Sequence, residues 1–156
     1  MPDARLIIAG DGDHRNACEK IAQAEDIKDC VRFTGFVNEI EKQRLLAGAW
    51  VFAQPSRLEG WGISVIEAAA CGTPAVAMRV PGLSDAIVDG ETGILADDWA
   101  GFQRAIVMLL TNASLRERLA TEALRRSKQF TWERTAAGLL QILQRVSLRE
   151  RSTQST

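Results

Sequence analysis

The sequence predicts an α/β fold: a Rossmann-like parallel sheet with helices on both faces, followed by a helical C-terminal third. Short apolar runs alternate with segments of helical periodicity through the first half of the 156-residue chain, and such a β-α-β-α succession favours a parallel sheet. Beyond residue 99 the remaining patterns are all helical. With 46% hydrophobic and 25% charged residues, the composition is that of a globular chain able to bury one core.

The individual elements follow from the period of the apolar residues and from the Gly, Pro and polar clusters between them. Strands are predicted at 5–9, 31–34, 50–54 and 75–78, with short pieces near 84–88 and 93–96. Helices are predicted at 15–25, 39–48, 62–71, 99–110, 113–127 and 131–148. We assign residues 1–150 to a single domain and expect the polar end 151–156 to be a disordered tail.

The last predicted helix carries an apolar stripe. Its members recur at helical spacing and are Trp132, Ala136, Leu139, Leu140 and Leu143. Core packing is the default expectation for this stripe and for three further aromatic residues, Trp50, Trp99 and Phe102.

The most informative segment is EGWGISVIE, which Glu59 and Glu67 bracket and in which two glycines open an apolar helix. Gly60 and Gly62 let the backbone turn tightly and let a ligand approach main-chain N–H groups. A helix N-terminus can hold an anion, and carboxylates accept hydrogen bonds from hydroxyls. A phosphorylated sugar carries both kinds of group.

The two glutamates differ in setting. Glu67 is the only charged residue between Gly60 and Gly72, and an ionised carboxylate among Ile, Val and Ala needs hydrogen-bond donors. Either protein groups or a ligand can supply them, and the pattern leaves both interpretations open. Glu59 precedes the helix on a loop, where residues often contact ligand, although a lone loop glutamate is more often a solvated surface acid.

Several other classes of function are disfavoured. The turn Gly10-Asp11-Gly12 lacks the third glycine of a dinucleotide fingerprint, and no Walker, HExxH, GxSxG or CxxC pattern occurs. The net charge of −1 gives no reason to expect nucleic acid. Residues 115–151 are basic; we interpret this as a solvated helix face and regard peripheral membrane contact as the lesser alternative.

The cysteines and the histidine do not form a metal or catalytic set in the sequence. Cys18, Cys30 and Cys71 are unequally spaced, which indicates reduced thiols rather than a disulfide framework or a zinc site. His14 falls on a polar loop and is expected at the surface. The sequence has no signal peptide and no apolar run of membrane-spanning length, so we expect a cytoplasmic location.

Five ordered segments together carry a family resemblance. They are LIIAGDG (6–12), VRFTGFV (31–37), AWVFAQPSRLEGWGISVIEAAACGTPAVA (49–77), VPGLSDAIVDGETGIL (80–95) and FTWER (130–134). Over roughly residues 4–147 the chain resembles the C-terminal, donor-binding domain of retaining GT-B glycosyltransferases of the GT4 type. The most specific part is the E-x7-E spacing in its PS-x-x-EG…EA…G-T-P setting.

The resemblance implies half of a GT-B fold and roles for named residues. Glu59 is similar to the first motif glutamate, which lies against the donor sugar, and is the candidate catalytic residue. Glu67 is similar to the second, which accepts hydrogen bonds from the ribose. The other implied donor-binding residues lie at the helix start and in the loop against which the base packs: Gly60, Trp61, Gly62, Ile63, Ser64, Val37 and Glu39. The implied donor is a UDP-, GDP- or ADP-sugar, with no cofactor and no metal.

The sequence also departs from the family pattern. Related chains carry, upstream, an acceptor-binding domain and a strand and helix whose Arg and Lys hold the diphosphate. Since the departing diphosphate needs such stabilisation, we expect this chain alone to be a poor catalyst. The alternative is a non-catalytic nucleotide-sugar-binding or assembly module; a non-hydrolysing epimerase fits the PS-x-x-EG and FTWER segments less well.

The upstream strand of the family would lie between the strands predicted at 5–9 and 50–54. Without it, two edges are exposed, those strands are drawn together, or another chain fills the gap. We therefore expect a rearranged sheet or a homo-oligomer, or completion by a separate acceptor-domain chain.

Overall fold

The computed structural model describes the backbone of residues 4–153 and the side chains of residues 4–146. Its contacts divide the chain into two compact units, Met1–Leu45 and Leu46–Thr156, where one domain over 1–150 was expected. We refer to them as the first and the second unit.

The first unit alternates strands and helices. Its elements are β1 (Leu6–Ala9), α1 (Arg15–Ala24), a 3₁₀ turn (Lys28–Cys30), β2 (Val31–Gly35) and most of α2 (Glu39–Gly48). The elements of the second unit are β3 (Phe52–Gln54), α3 (Ile63–Ala70), β4 (Ala75–Met78), α4 (Pro81–Ala86), β5 (Gly93–Ala96), α5 (Trp99–Thr111), α6 (Ala113–Ser127) and α7 (Trp132–Thr153).

These bounds agree with the elements predicted from the sequence, with small differences at the ends. The strand predicted at 50–54 is shortened to Phe52–Gln54. Helix α7 continues to Thr153, into the segment expected to be a disordered tail, because no Gly or Pro follows Gly138 to stop it. Residues 154–156 of that segment lie outside the described residues.

The strands form two parallel sheets rather than the single sheet that was predicted. β1 pairs with β2, with Leu6 opposite Val31, and the second sheet has the order β3-β4-β5. Within residues 4–153, β1 and β3 each have one strand partner. β2 and β5 likewise have one strand partner each, so these four are edge strands among the described residues. The three consequences expected from the absence of the family's strand stay predictions.

The core of the second unit lies on both faces of its sheet, as predicted. Alternation along β4 directs Ala75 and Ala77 to one face and Val76 to the other. The first face packs on α3 and α4 through Val65, Leu83, Ala86 and Ile87. The second packs on α5 and α6 through Phe102, Ala105, Leu109 and Leu119.

The apolar stripe of α7 is not packed in a core, so that prediction is wrong. Trp132 is 86% exposed, and Leu139, Leu140 and Leu143 are also exposed. Helical spacing identifies which residues share a face, but it does not say whether an element of the same chain covers that face.

Two of the three tryptophan and phenylalanine positions predicted to be core are likewise exposed. Trp50 and Trp99 lie at the surface, whereas Phe102 is buried. Trp50 lies under the guanidinium of Arg116, 4.2 Å from the ring centroid, and Trp99 meets Phe102 edge to face at 5.8 Å. Both rings are large enough to bury one side and leave the other in water.

Candidate functional site

The start of α3 has no side-chain cap; its N-cap residue Gly62 is buried, whereas Ile63 is 65% exposed. Gly62 is the N-cap residue in a left-handed conformation (φ 80°, ψ 48°), no side chain caps the helix, and its first turn carries no acidic residue. Hydrogen bonding begins where the N–H of Val65 donates to the Gly62 carbonyl at 3.0 Å. The N–H groups ahead of this bond have no intrahelical acceptor, and the positive end of the helix dipole lies there.

Close packing from α4 explains why position 62 is a glycine. A Cβ at Gly62 would lie 2.8 Å from Cδ2 of Leu83, a fully buried α4 residue. The left-handed conformation favours glycine as well. Gly62 was predicted from the sequence to allow the turn and the approach of a ligand; its contact with α4 is an additional role.

Another glycine, Gly82 of α4, lets this helix pack closely against the same loop. A Cβ at Gly82 would lie 2.4 Å from the carbonyl oxygen of Glu59 and 2.6 Å from that of Gly60. The start of α4 therefore lies directly against the backbone of the loop 59–62. Sequence reasoning missed this role; its only signal was the Pro-Gly pair that opens the helix.

Glu59 is half-buried and oriented by two hydrogen bonds. Its Oε1 accepts from the N–H of Gly60 at 3.1 Å, and its Oε2 accepts from Nε2 of Gln54 at 3.2 Å. The same Nε2 donates to Oγ of Ser56 at 2.8 Å. Gln54 ends β3, and ligands of parallel sheets bind at the carboxyl ends of strands. A polar residue ending an apolar strand was the signal for Gln54, and the sequence analysis did not use it.

Glu67 is less buried than we predicted from the apolar residues around it in the sequence. It is half-buried and shares a side of α3 with Ile63, one turn earlier, which is 65% exposed. Val65, Ala68 and Ala69 cover the opposite, buried side. Glu67 therefore lies about 6 Å along the helix from its first residue, on the side that faces outward.

The other predicted donor-site residues of this segment lie at or near the surface. Gly60 and Trp61 are exposed, the latter by 36%, and Ser64 is half-buried. Together with Glu59 and Gly62 they form one continuous turn into α3. We call residues 59–62 the glycine loop.

Val37 and Glu39 belong to the first unit. Val37 is half-buried and Glu39 exposed, where it pairs with Lys42 at 3.0 Å. Between them, Asn38 caps α2 by accepting a hydrogen bond from the N–H of Glu41 at 2.9 Å. This turn thus has a local structural role, which the sequence analysis did not consider.

An ion-pair cluster follows β4. Arg79 donates to Oδ1 of Asp97 and to Oδ2 of Asp89, both at 2.6 Å, so its charge is already compensated. Burial alone would raise the pKa of Asp89, but hydrogen bonds from the Leu95 N–H and from Arg79 outweigh it and leave the pKa below its ordinary value.

Two hollows of the second unit lie away from the glycine loop. A cavity of about 10 Å³ lies beneath α3, lined by residues that include Val65, Ala69 and Ser127. A broad, shallow hollow of about 550 Å³ on α5 includes Gln103 and Met108. Glu59 and Glu67 line neither. The candidate site is therefore defined by its loop and helix start.

Two negative observations concern the described residues only. Within that part of the chain, no helix is both long and apolar enough to cross a bilayer. No group of three or more His, Cys, Asp or Glu side chains there is arranged to hold a metal ion.

Comparison with known proteins places the chain among glycosyltransferases. The family model described as "Glycosyl transferases group 1" matches residues 1–126, and this chain belongs to that family. The D-inositol 3-phosphate glycosyltransferase of Nocardioides sp. strain JS614 is 40% identical over 120 residues, which are 74% of this chain and 26% of the relative. The enzyme of the same name from Stackebrandtia nassauensis is 36% identical over 149 residues, 89% of this chain and 33% of the relative.

Solved structures show the same relationship. Sucrose-phosphate synthase from Thermosynechococcus elongatus superposes with a TM-score of 0.81 at 28% identity, covering 94% of this chain and 39% of that one. HepE of Anabaena, solved in complex with UDP-glucose, gives 0.74 at 23% identity, covering 83% and 37%. The fold is α/β with parallel sheets and matches part of GT-B glycosyltransferases, as predicted. The chain spans only about a quarter to a third of the length of the curated relatives described above.

Proposed function

We propose that this chain is the nucleotide-sugar-binding half of a retaining glycosyltransferase, which transfers a sugar from a nucleoside diphosphate to a hydroxyl acceptor. The start of α3 carries the proposal: Gly62 opens it in a left-handed conformation, no side chain caps it, and Glu59 and Glu67 flank it. Uncapped N–H groups and the positive end of the helix dipole favour a diphosphate. Membership of the group 1 family supports the same class of reaction.

In this proposal Glu59 is the catalytic residue that lies against the sugar. Its hydrogen bonds from Gly60 and Gln54 fix the carboxylate before the ligand arrives, and its remaining acceptor positions take sugar hydroxyls. As the bond from the sugar C1 to the diphosphate oxygen breaks, negative charge grows on the diphosphate. We propose that backbone N–H groups at Gly62, Ile63 and Ser64 stabilise that charge.

The remaining assignments concern the nucleoside. We propose that Glu67 accepts hydrogen bonds from the ribose hydroxyls, and that Val37 and Glu39 form the loop on which the base packs. HepE, in complex with UDP-glucose, and the pneumococcal transferase GtfA, in complex with UDP and GlcNAc, share the fold. We propose a UDP-, GDP- or ADP-sugar as the donor, as the family resemblance implies, and binding that needs no metal.

Calorimetric titration of the chain with UDP-, GDP- and ADP-sugars, in the presence of EDTA, tests the proposal. Loss of one hydrogen bond to a charged group weakens binding by about tenfold to a hundredfold, so Glu67→Gln should lower the affinity by that factor. Glu117→Gln is the matched control, since Glu117 is an exposed helical glutamate on α6.

Each result of this titration has a meaning. Equal affinities of Glu67→Gln and the parent chain would contradict the ribose assignment, and no binding of any donor would contradict the function. Binding without transfer or hydrolysis would favour the alternative, a non-catalytic nucleotide-sugar-binding or assembly module.

The exposed apolar face of α7 favours the proposal that this chain binds a partner. Leu139, Leu140 and Leu143 are each more than half exposed, and such contiguous apolar surface marks an interaction site. The relatives are about three to four times as long as the matched part of this chain. We propose that an acceptor-binding domain covers this face; a homo-oligomer is the alternative.

Sedimentation velocity distinguishes these two partners. A homo-oligomer should dissociate on Leu139→Gln with Leu143→Gln. A chain that is already monomeric at all concentrations would exclude the homo-oligomer.

A further inference from the structure

Two aromatic rings join the glycine loop to the junction between α6 and α7. The ring of Trp61 meets that of Phe130 edge to face, with centroids 4.9 Å apart and an interplanar angle of 71°. Phe130 lies in the short connection that follows Ser127, the last residue of α6. It covers part of a loop side chain that remains 36% exposed.

Arg126 holds this connection against α4. Its guanidinium carbon lies 5.4 Å from the centroid of the Phe130 ring, within the range of a cation–π contact. Its Nε donates to the carbonyl of Ala86 at 3.3 Å and its Nη2 to that of Asp85 at 2.9 Å. A cation bonded to the last carbonyls of a helix also complements its dipole.

Helix α4 is therefore contacted at both of its ends. Arg126 binds its last carbonyls, and Gly82 at its start lies against the backbone of Glu59 and Gly60. The α6–α7 junction thus contacts the glycine loop directly through Phe130 and indirectly through α4.

We infer that Phe130 is a positioning residue for the glycine loop and acts through Trp61, while Arg126 holds the Phe130 ring and α4 in place. A loop with glycines at 60 and 62 has many conformations to lose. Holding the Trp61 side chain in place through Phe130 reduces the ordering that the ligand would otherwise have to supply. As far as it concerns the ligand, this inference rests on the function proposed above.

The test compares three variants in donor titrations and in thermal unfolding. Phe130→Leu removes the edge contact and should weaken nucleotide-sugar binding about three- to tenfold, the range expected for one aromatic pair. Phe130→Tyr keeps the ring and should restore the affinity. Trp99→Leu is the control, because it removes a similar edge-to-face pair, Trp99 with Phe102 at 5.8 Å, away from the loop.

A second measurement needs no ligand. The heteronuclear {¹H}–¹⁵N NOEs of Gly60 and Gly62 should fall in Phe130→Leu, recover in Phe130→Tyr and stay unchanged in Trp99→Leu. Reduced loop order in a chain that binds no donor would uphold the positioning role and overturn the proposed function.

The inference itself is overturned by two results. One is that Phe130→Leu leaves both loop NOEs at the parent values. The other is that Trp99→Leu and Phe130→Leu lower affinity equally, which would indicate general destabilisation.

Discussion

The two units of this chain differ in how much they bury. Among the described residues of the first unit only Ala22 and Gly35 are buried, and Leu6 and Ile7 of its sheet are 48% and 44% exposed. The second unit buries apolar side chains on both faces of its sheet, among them Leu109 and Leu119 at 0% exposure.

This difference shows where the fold is stabilised. A two-stranded sheet is marginal by itself, whereas three strands covered by helices form an independent core. The glycine loop is packed on that core through Gly82 and Leu83. Val37 and Glu39 belong to the less buried unit, so the proposed phosphate and sugar contacts rest on the more stable part of the chain.

The largest expected effect comes from one chemical change made in each unit. Leu109→Ala removes a fully buried α5 side chain and should lower the free energy of unfolding by about 2–5 kcal/mol. Leu6→Ala, at a half-exposed β1 position, should cost less than about 1 kcal/mol. Urea unfolding followed by circular dichroism measures both, and equal costs would remove the distinction between the units.

The next effect is on the packing beneath the glycine loop. Gly82→Ala places a Cβ 2.4 Å from the Glu59 carbonyl oxygen, and since backbone must move, it should destabilise the second unit by about 1–3 kcal/mol. Gly138→Ala is the control, because a Cβ there meets nothing within 4 Å and should be neutral or stabilising. The unfolding temperature should therefore fall in Gly82→Ala and should stay the same or rise in Gly138→Ala.

Local signals explain the part of the fold that was predictable. Apolar period and the Gly and Pro breakers act within a few residues, and they gave α3, β4 and the two-sided cover of the second sheet. The start of α3 at Gly62 was predictable for the same reason. The order of the five segments indicated the glycosyltransferase family.

The features that were missed depend on contacts between residues far apart in the sequence. Nothing near Gly82 indicates that it lies against Glu59, and nothing near Gln54 indicates its hydrogen bond to that carboxylate. Glu67 was expected to be buried because its sequence neighbours are apolar, yet only Val65, Ala68 and Ala69 lie on the buried side of α3. The prediction that the α7 stripe packs in a core was wrong for a similar reason, because helical periodicity does not identify what covers a helix face.

Hydrogen exchange sharpens the comparison without mutation. The amides of β4, whose Val76 and Ala77 are fully buried, should open only with the unfolding of the second unit. Those of β1 should exchange at least about tenfold faster after correction for intrinsic rates, by local opening of the first unit. Mass spectrometry of peptides from the two strands measures this ratio, and equal protection would show that the units open together.

The smallest expected effect is the contribution of Asp89 to stability against acid. Its pKa is lower in the folded chain than its ordinary value, so its contribution is complete above the ordinary pKa and is lost as the pH falls through the folded pKa. The Asp89 side chain is 41% exposed, and solvent screening keeps this contribution below about 1 kcal/mol.

Asp89→Asn retains an oxygen that can accept from the Leu95 N–H but cannot titrate. We expect the parent chain to lose more stability between pH 6 and pH 3 than Asp89→Asn does, as measured by urea unfolding. Asp98→Ala, which removes the α5 cap, serves as a comparison outside the Arg79 cluster. Identical acid sensitivity of Asp89→Asn and the parent would show that the ionised Asp89 carboxylate does not stabilise the second unit.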